Sequence, residues 1–342
     1  MQVLVTGNQG YIGSVLTPHL QANDHTVIGL DTGFFADCIL TPFEDGVHQQ
    51  LQKDVRDVIK QDLQGIEAIV HLAAISNDPM GELDPEVTLD INYRASVRLA
   101  QIAKTAGVRK FVFASSCSVY GQSDTLALHE GCQMNPQTAY AISKVESEAE
   151  IAKLADETFS PIYMRNATVY GYSPRLRVDI AINNLTGSGY VSGEVKLQSD
   201  GMAWRPFVGV NDLGEITRLL LESNINNEAF NVGSNAQNFL IRDLAATVGA
   251  TIGCPVTMGA NPSTDSRTYN VSFDKLSARF PDFQPKDTVE NQVRALCAAF
   301  TAAGLTKEEF GSARYTRLKR LQDLIGSHEI DNRFRARARM VA

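Results

Sequence analysis

The first twenty residues constrain the fold more than any other part of the chain. Gln2-Val3-Leu4-Val5-Thr6 has the length and apolar, partly β-branched make-up of a buried strand. It runs straight into Gly7-Asn8-Gln9-Gly10-Tyr11-Ile12-Gly13 and an amphipathic helix through Leu20. A strand-to-helix turn this tight needs backbone angles that glycine supplies, and it lets the backbone approach a ligand closely. The helix N-terminus adds unpaired N–H groups and the positive end of a dipole, which together suit a diphosphate. A second strand, Thr26-Val27-Ile28-Gly29-Leu30, ends in Asp31, 18 residues beyond Gly13. An acid there binds ribose hydroxyls and repels a 2′-phosphate, and no Arg or Lys occurs between Asp31 and Lys53. The pattern predicts a dinucleotide site of the NAD rather than the NADP type.

Strand-like and helix-like stretches then alternate, which predicts an α/β, doubly wound parallel sheet. Strands are expected at 47–53, 68–74, 110–116 and 161–165, with helices from Asp54 to Leu63, from Glu86 to Ala106 and from Pro136 to Glu157. After Gly171 the rhythm loosens into short strands interleaved with Gly, Asn and Pro. With 342 residues the chain exceeds a comfortable single core. The expected organisation is a dinucleotide-binding domain over 1–170, rejoined by about 205–232, and a smaller α/β lobe over 171–204 and 233–310. A basic helical extension over 311–342 would follow. No apolar run approaches the roughly 18 residues of a membrane span, and the N-terminus enters a strand without a charged leader, so a cytoplasmic protein is expected. Five cysteines without a C-x-x-C pair suit reduced thiols and predict no metal site. A formal charge of −8 argues against nucleic acid as a partner. Residues 311–342 nevertheless hold eight Arg and Lys against three acids, a net of +5. That stretch reads first as a solvated terminal helix, and otherwise as a segment docked on an acidic face.

Ala139-Tyr140-Ala141-Ile142-Ser143-Lys144 lies in the last of those helices, and a spacing of four sets the phenol and the ammonium on one face. A nearby cation favours the phenolate, so Lys144 is expected to draw the Tyr140 pKa down from about 10 toward neutrality. Tyr140 would then exchange a proton with a sugar hydroxyl while hydride leaves the same carbon for a nicotinamide, with Ser116 hydrogen-bonding that oxygen. Tyrosine and lysine at this spacing recur by chance on many helices. The pair gains weight from its place after a dinucleotide turn and after Ser116, at the carboxyl end of a strand where open α/β sheets bind ligands.

In combination these segments resemble the extended short-chain dehydrogenase/reductase superfamily, in its NAD-dependent nucleotide-sugar epimerase/dehydratase branch, to about residue 300. The resemblance implies a Rossmann fold. Thr6 to Gly13 is similar to the G-x-x-G-x-x-G fingerprint, so Gly7, Gly10, Tyr11, Ile12 and Gly13 are implied to hold the cofactor, with Asp31 on the ribose. Asp54 and Val55 resemble the adenine-contacting pair, and Leu72, Ala73 and Ala74 the segment lining the cofactor after the fourth strand. Asn92 is similar to the helix asparagine supporting the active-site loop and is grouped with the cofactor residues. Ser116 takes the catalytic serine position and Tyr140 that of the general base; Lys144 is implied to lower the Tyr140 pKa and bind the nicotinamide ribose. On the residues alone, Asp54 serves equally as an N-cap, His71 as a satisfied strand-end residue and Asn92 as a bridge.

The resemblance also implies substrate contacts. Asn184 and Arg205 are similar to an asparagine and an arginine on the sugar-nucleotide diphosphate, where a guanidinium fork suits phosphate oxygens. Arg205 reads otherwise as a surface ion pair, and Arg267 lies near the family's other phosphate- or base-side arginine. Asn77 is placed to reach the sugar or to build a turn with Asp78 and Pro79. Cys117 and Ser118, grouped with the substrate residues, stand where the 4,6-dehydratases carry Asp-Glu and where a decarboxylase carries a glutamate second. Both reactions are thereby disfavoured, and Cys117 reads alternatively as a small strand-end residue. Thr168 replaces the usual asparagine three residues after Arg165. What remains implied is an NAD-dependent nucleotide-sugar epimerase, acting at C4 of a UDP- or dTDP-hexose, as a homodimer paired through the helices at 86–106 and 136–157. The alternative is a nucleotide 4-keto-6-deoxysugar reductase using NAD(P)H, ahead of a 4,6-dehydratase or an NAD-binding protein without turnover.

Overall fold

A computed structural model describes residues 1–122, 127–263 and 268–337, with 260–263 as backbone only. Six strands follow in succession: β1 (Gln2–Thr6), β2 (Thr26–Asp31), β3 (Gln49–Gln52), β4 (Ala68–His71), β5 (Lys110–Ser116) and β6 (Ser160–Asn166). The chain then forms β7 (Thr168–Tyr170), β8 (Val195–Ser199), β9 (Trp204–Gly209), β10 (Glu228–Val232), β11 (Asn238–Leu240) and β12 (Val256–Ser263). The large sheet has the order β3-β2-β1-β4-β5-β6-β10 with every pairing parallel. The strand order reverses between β1 and β4, and a crevice opens at such a switch point beyond the carboxyl ends of the strands. The chain returns to this sheet only at β10, whereas β9 pairs with β7 and β11 in a three-stranded sheet and β8 pairs with β12.

Both faces of the large sheet are buried along its inner strands, which are apolar at successive positions rather than at alternate ones, whereas the edge strand β3 is mostly glutamine. Val3, Val5, Val27, Val70 and Val112 face Leu16 and Leu20 of α1 (Gly13–Gln21). Leu4, Ile28, Ile69, Phe111 and Phe113 face the other way. Each side chain removed from water contributes about 1.5–3 kcal/mol.

Two expected helices are broken up. The stretch from Asp54 to Leu63 forms short 3₁₀ turns at Val55–Asp57, capped by Asp54 through the Arg56 N–H, and at Lys60–Leu63, because Val58 and Ile59 between them are extended. The expected 86–106 helix begins after α2 (Asp78–Gly81) as α3 (Pro85–Leu89), passes through a π turn at Asp90–Arg94 and continues as α4 (Ala95–Ala106). Gly107 ends it at φ 87°, a left-handed conformation suited to glycine. The helix carrying Tyr140 is α5 (Ala139–Ala152), capped by the Thr138 hydroxyl; it packs with α4 on the Leu4 face.

The smaller lobe is built from α6 (Ala181–Ser192), α8 (Ile241–Ile252) and α10 (Val289–Ala303), which meet around Leu185, Val248 and Val293. Between them α7 (Val210–Glu222) lies beside α1 and covers the valine face with Leu213, Ile216 and Leu220. Short helices α9 (Asp274–Arg279) and α11 (Lys307–Phe310) precede α12 (Arg317–Gly326). The solvated reading of the basic terminus is overturned. Leu321, Leu324, Ile330 and Phe334 are buried in a cluster with Ile75, Met80 and Val87, so apolar burial decides where the segment lies. Among the described residues, no helix is long and apolar enough to cross a membrane.

Candidate active site

A cleft lies at the switch point. Gly7, Gly10, Tyr11, Ile12 and Gly13 line it together with Leu72, Ala73 and Ala74. Asp31, Asp54 and Val55 line one end of it. The glycine turn is tight for reasons visible in the backbone. Gly7 has φ 74°, its N–H donates to Leu30 O at 2.7 Å, and a Cβ on it would come 2.8 Å from Ala73 N. A Cβ on Gly13 would overlap the Gly7 carbonyl oxygen and lie 2.5 Å from Asn8 Cα. The Asp31 carboxylate accepts from Gly33 N at 2.9 Å and Gln9 N at 3.3 Å; burial raises its pKa against these bonds and against nearby Arg175 and Arg317.

The trio sits at the end of β5. The Tyr140 phenol is close enough to Ser116 for that hydroxyl to favour its ionised form, and Ser116 Oγ accepts from Ser118 N at 3.1 Å. Lys144 is buried with Nζ donating to Ala114 O at 2.6 Å and lying 5.6 Å from the Tyr140 ring centre. Burial pushes the Lys144 pKa down to about 8, with Glu148 opposing. The expected acidic phenol is corrected: burial pushes Tyr140 up to about 12 despite the Ser116 hydroxyl, and the cation acting on it is Arg177. Desolvation of the anion outweighs the gain from its neighbours here. His71 is held neutral, its pKa pushed down to about 3 by burial and by Lys144, while its ring bridges Thr6 Oγ1 (2.6 Å) and Ser96 Oγ (2.8 Å).

The profile of the NAD-dependent epimerase/dehydratase family matches residues 3–233. The chain belongs to this family. It is 30% identical over 271 residues to the UDP-glucose 4-epimerase of Mycolicibacterium smegmatis, covering 75% of this chain and 84% of that one. Two solved structures share the fold. The dTDP-glucose 4,6-dehydratase of Streptomyces venezuelae with NAD bound has a TM-score of 0.78 at 24% identity, covering 90% and 100% of the two chains. The Thermus thermophilus UDP-glucose 4-epimerase complex with NAD has a TM-score of 0.74 at 23% identity, covering 89% and 100%. Like others of the family, the chain is an NAD-dependent enzyme with a Rossmann fold. Its cleft fits that cofactor, because the cradle at Gly7 and Gly13 has no room for a Cβ and an acid stands at Asp31.

Other residues singled out by resemblance to the epimerase/dehydratase family lie elsewhere. Asn92 stands behind the cleft, where its side chain accepts from Ile75 N (2.7 Å) and donates to Ile75 O (2.9 Å), fixing the loop after β4. Cys117 is turned into the core, its thiol on Arg165 O at 3.1 Å and its pKa raised by burial, so it does not share Ser116's side of the strand. Ser118 Oγ is buried and has no partner among the described residues. Asn77 caps α2 through Met80 N and donates to Asp179, which in turn pairs with Arg177 at 2.7 Å. Asn184, exposed on α6, donates to Val178 O at 2.9 Å. Arg205 of β9 donates to Trp204 O at 2.8 Å and lies 5.2 Å from the Tyr269 ring. Neither of these two lines the cofactor cleft. Arg267 falls outside the described residues.

The sequence reading missed Arg177, which lines the cleft and reaches Ser76 Oγ at 2.9 Å, and Arg317, which lines it from α12. The charge run at the C-terminus was the one signal available for Arg317.

Proposed function

We propose that the enzyme is a nucleotide-sugar 4-epimerase whose substrate is a UDP- or dTDP-hexose. Supporting this reading is Tyr140 acting with Ser116 at the carboxyl end of β5, with no carboxylate among the residues that follow Ser116 on the strand end. Cys117 faces the core and Ser118 offers only a hydroxyl, so the residues after Ser116 supply no acid–base pair for elimination. Bound NAD would supply a two-electron acceptor for the sugar carbon and return the same electrons. Tyr140, protonated at rest, must first release its own proton to solvent; as the phenolate it takes the proton from the sugar hydroxyl and gives it back. Ser116 steadies the oxygen on which charge develops, and Arg177 provides the positive field in which the phenol ionises. Asn184 and Arg205 are assigned to the sugar-nucleotide diphosphate on the smaller lobe. The protein is read as a cytosolic homodimer joined through α4 and α5, the latter with Ile142 39% exposed.

The test is to release and quantify nicotinamide from purified protein, then add UDP-glucose and dTDP-glucose without cofactor. Copurifying NAD and the appearance of a C4 epimer support the proposal. Protein that turns over only a 4-keto sugar, and only with supplied reduced cofactor, would make it a reductase.

A further inference from the structure

Arg317 enters the cofactor cleft from the C-terminal segment and is only 3% exposed. Its Nη2 donates to Arg175 O at 3.1 Å and its guanidinium lies 5.1 Å from the Phe35 ring centre, while Nη1 is buried with no partner among the described residues. Arg175 Nε is buried and unpartnered in the same sense. The nearby carboxylates are engaged: Asp179 pairs with Arg177, and Asp31 accepts from two backbone N–H groups. A buried cation with an open donor, close to two further guanidinium groups, is costly until an anion reaches it. Burial, with repulsion from Arg177 and Arg175, pushes its pKa down to about 10, so it remains charged at neutral pH.

The rest of the segment is fastened across the cleft. Leu321 and Phe334 line it together with Asp54 and Val55. Arg56 donates to Arg333 O (2.9 Å) and Phe334 O (3.0 Å) while also pairing with Asp54 (2.7 Å) and Asp90 (3.3 Å). Arg335 pairs with Asp57 at 2.6 Å and Asp54 at 3.5 Å. Phe334 adopts φ 55°, the left-handed region that non-glycine residues seldom occupy, and the Arg56 bonds hold it there.

We propose that residues 317–337 form a clasp on bound NAD, in which Arg317 donates to the cofactor's diphosphate and Phe334 closes the adenosine end of the cleft. Opening of the clasp then limits cofactor release. The inference rests on the family's cofactor and is independent of which sugar is turned over or how. A clasp of this kind suits a cycle that regenerates its own cofactor.

The test compares wild type, Arg317→Met, Arg317→Lys and Arg335→Ala after removal of cofactor. Calorimetry gives affinities for NAD+, ADP and adenosine, and an ADP-ribose chase of the holoenzyme gives the NAD+ release rate. Loss of a charge-assisted contact predicts a decrease of about 10- to 100-fold in NAD+ and ADP affinity for Arg317→Met, with adenosine changed by less than about threefold and Lys restoring part of the loss. Arg335→Ala, on the clasp's part-exposed latch, is expected to speed NAD+ release by about two- to fivefold, and it serves should Arg317→Met fail to fold. Unchanged affinity in folded Arg317→Met, unchanged release in Arg335→Ala, or equal losses for ADP and adenosine would overturn the proposal.

Discussion

Glu148 and Arg165 tie α5 to the sheet, and removing one of them should cost far more than a surface ion pair. Their side chains are 7% and 6% exposed, with Arg165 Nη2 at 2.7 Å from Glu148 Oε2 and Nε at 3.2 and 3.1 Å from the two carboxylate oxygens. Ser115 donates to the same carboxylate. Glu148→Ala would leave the guanidinium with only Tyr120 Oη (3.2 Å) and Glu130 O (3.1 Å) as acceptors. A buried charge stripped of its partner costs about 3–5 kcal/mol, and the better helix propensity of alanine returns at most about 0.5 kcal/mol of that. Urea unfolding followed by circular dichroism should therefore show a loss of about 3–4 kcal/mol at pH 7. Glu148→Met with Arg165→Met removes both charges, and its loss should fall well below the sum of the single losses. Because Glu148 also holds up the Lys144 pKa, Glu148→Gln should move that pKa further below 8. A loss under about 1 kcal/mol for Glu148→Ala, the size of an exposed pair, would refute the reasoning.

Tyr140→Phe should keep its NAD content while turnover falls by about 10²- to 10⁴-fold, as expected for a lost proton-transfer group; retained turnover would remove Tyr140 from the mechanism. Gly13→Ala should fold but bind NAD+ at least about tenfold more weakly by equilibrium dialysis, because its Cβ meets backbone rather than a movable side chain. Lys144 has a folded pKa near 8 against 10.5 for the free side chain, so below pH 8 its protonation penalises the fold. The stability of cofactor-free protein should then rise from pH 8 to 10.5 with a slope of up to about 1.4 kcal/mol per pH unit. Lys144→Met should abolish that component of the slope, and an identical slope in the variant would show that the lysine does not titrate there.

The dinucleotide turn, Asp31 and the Ser116 strand were legible because each is local: strand length, glycine spacing and helix period are all encoded within a few residues. The orientation of Cys117 was not legible, because the chain leaves the strand at Ser116 and Cys117 opens a 3₁₀ turn, where strand alternation no longer applies. Nor was the π turn at Asp90–Arg94, because an apolar helical period continues on both sides of it and its purpose, the Asn92 clamp on Ile75, is made 17 residues away. The Tyr140 pKa depends on how deeply the finished fold buries the phenol, and helical spacing to Lys144 carries no information about that. The clasp was hidden for a related reason. Its charges suggested solvent, while Leu321, Leu324 and Phe334 gained a partner only once the loop after β4 was in place.

In the proposed reaction one NAD, held throughout the cycle, oxidises and re-reduces the same sugar carbon with Tyr140 handling the proton. The most direct measurement is the conversion of UDP-glucose deuterated at C4 by purified enzyme without added cofactor. The account predicts a C4 epimer that keeps its deuterium at C4. Absence of epimer without supplied NADH, or an epimer whose C4 label has exchanged with solvent, would contradict it.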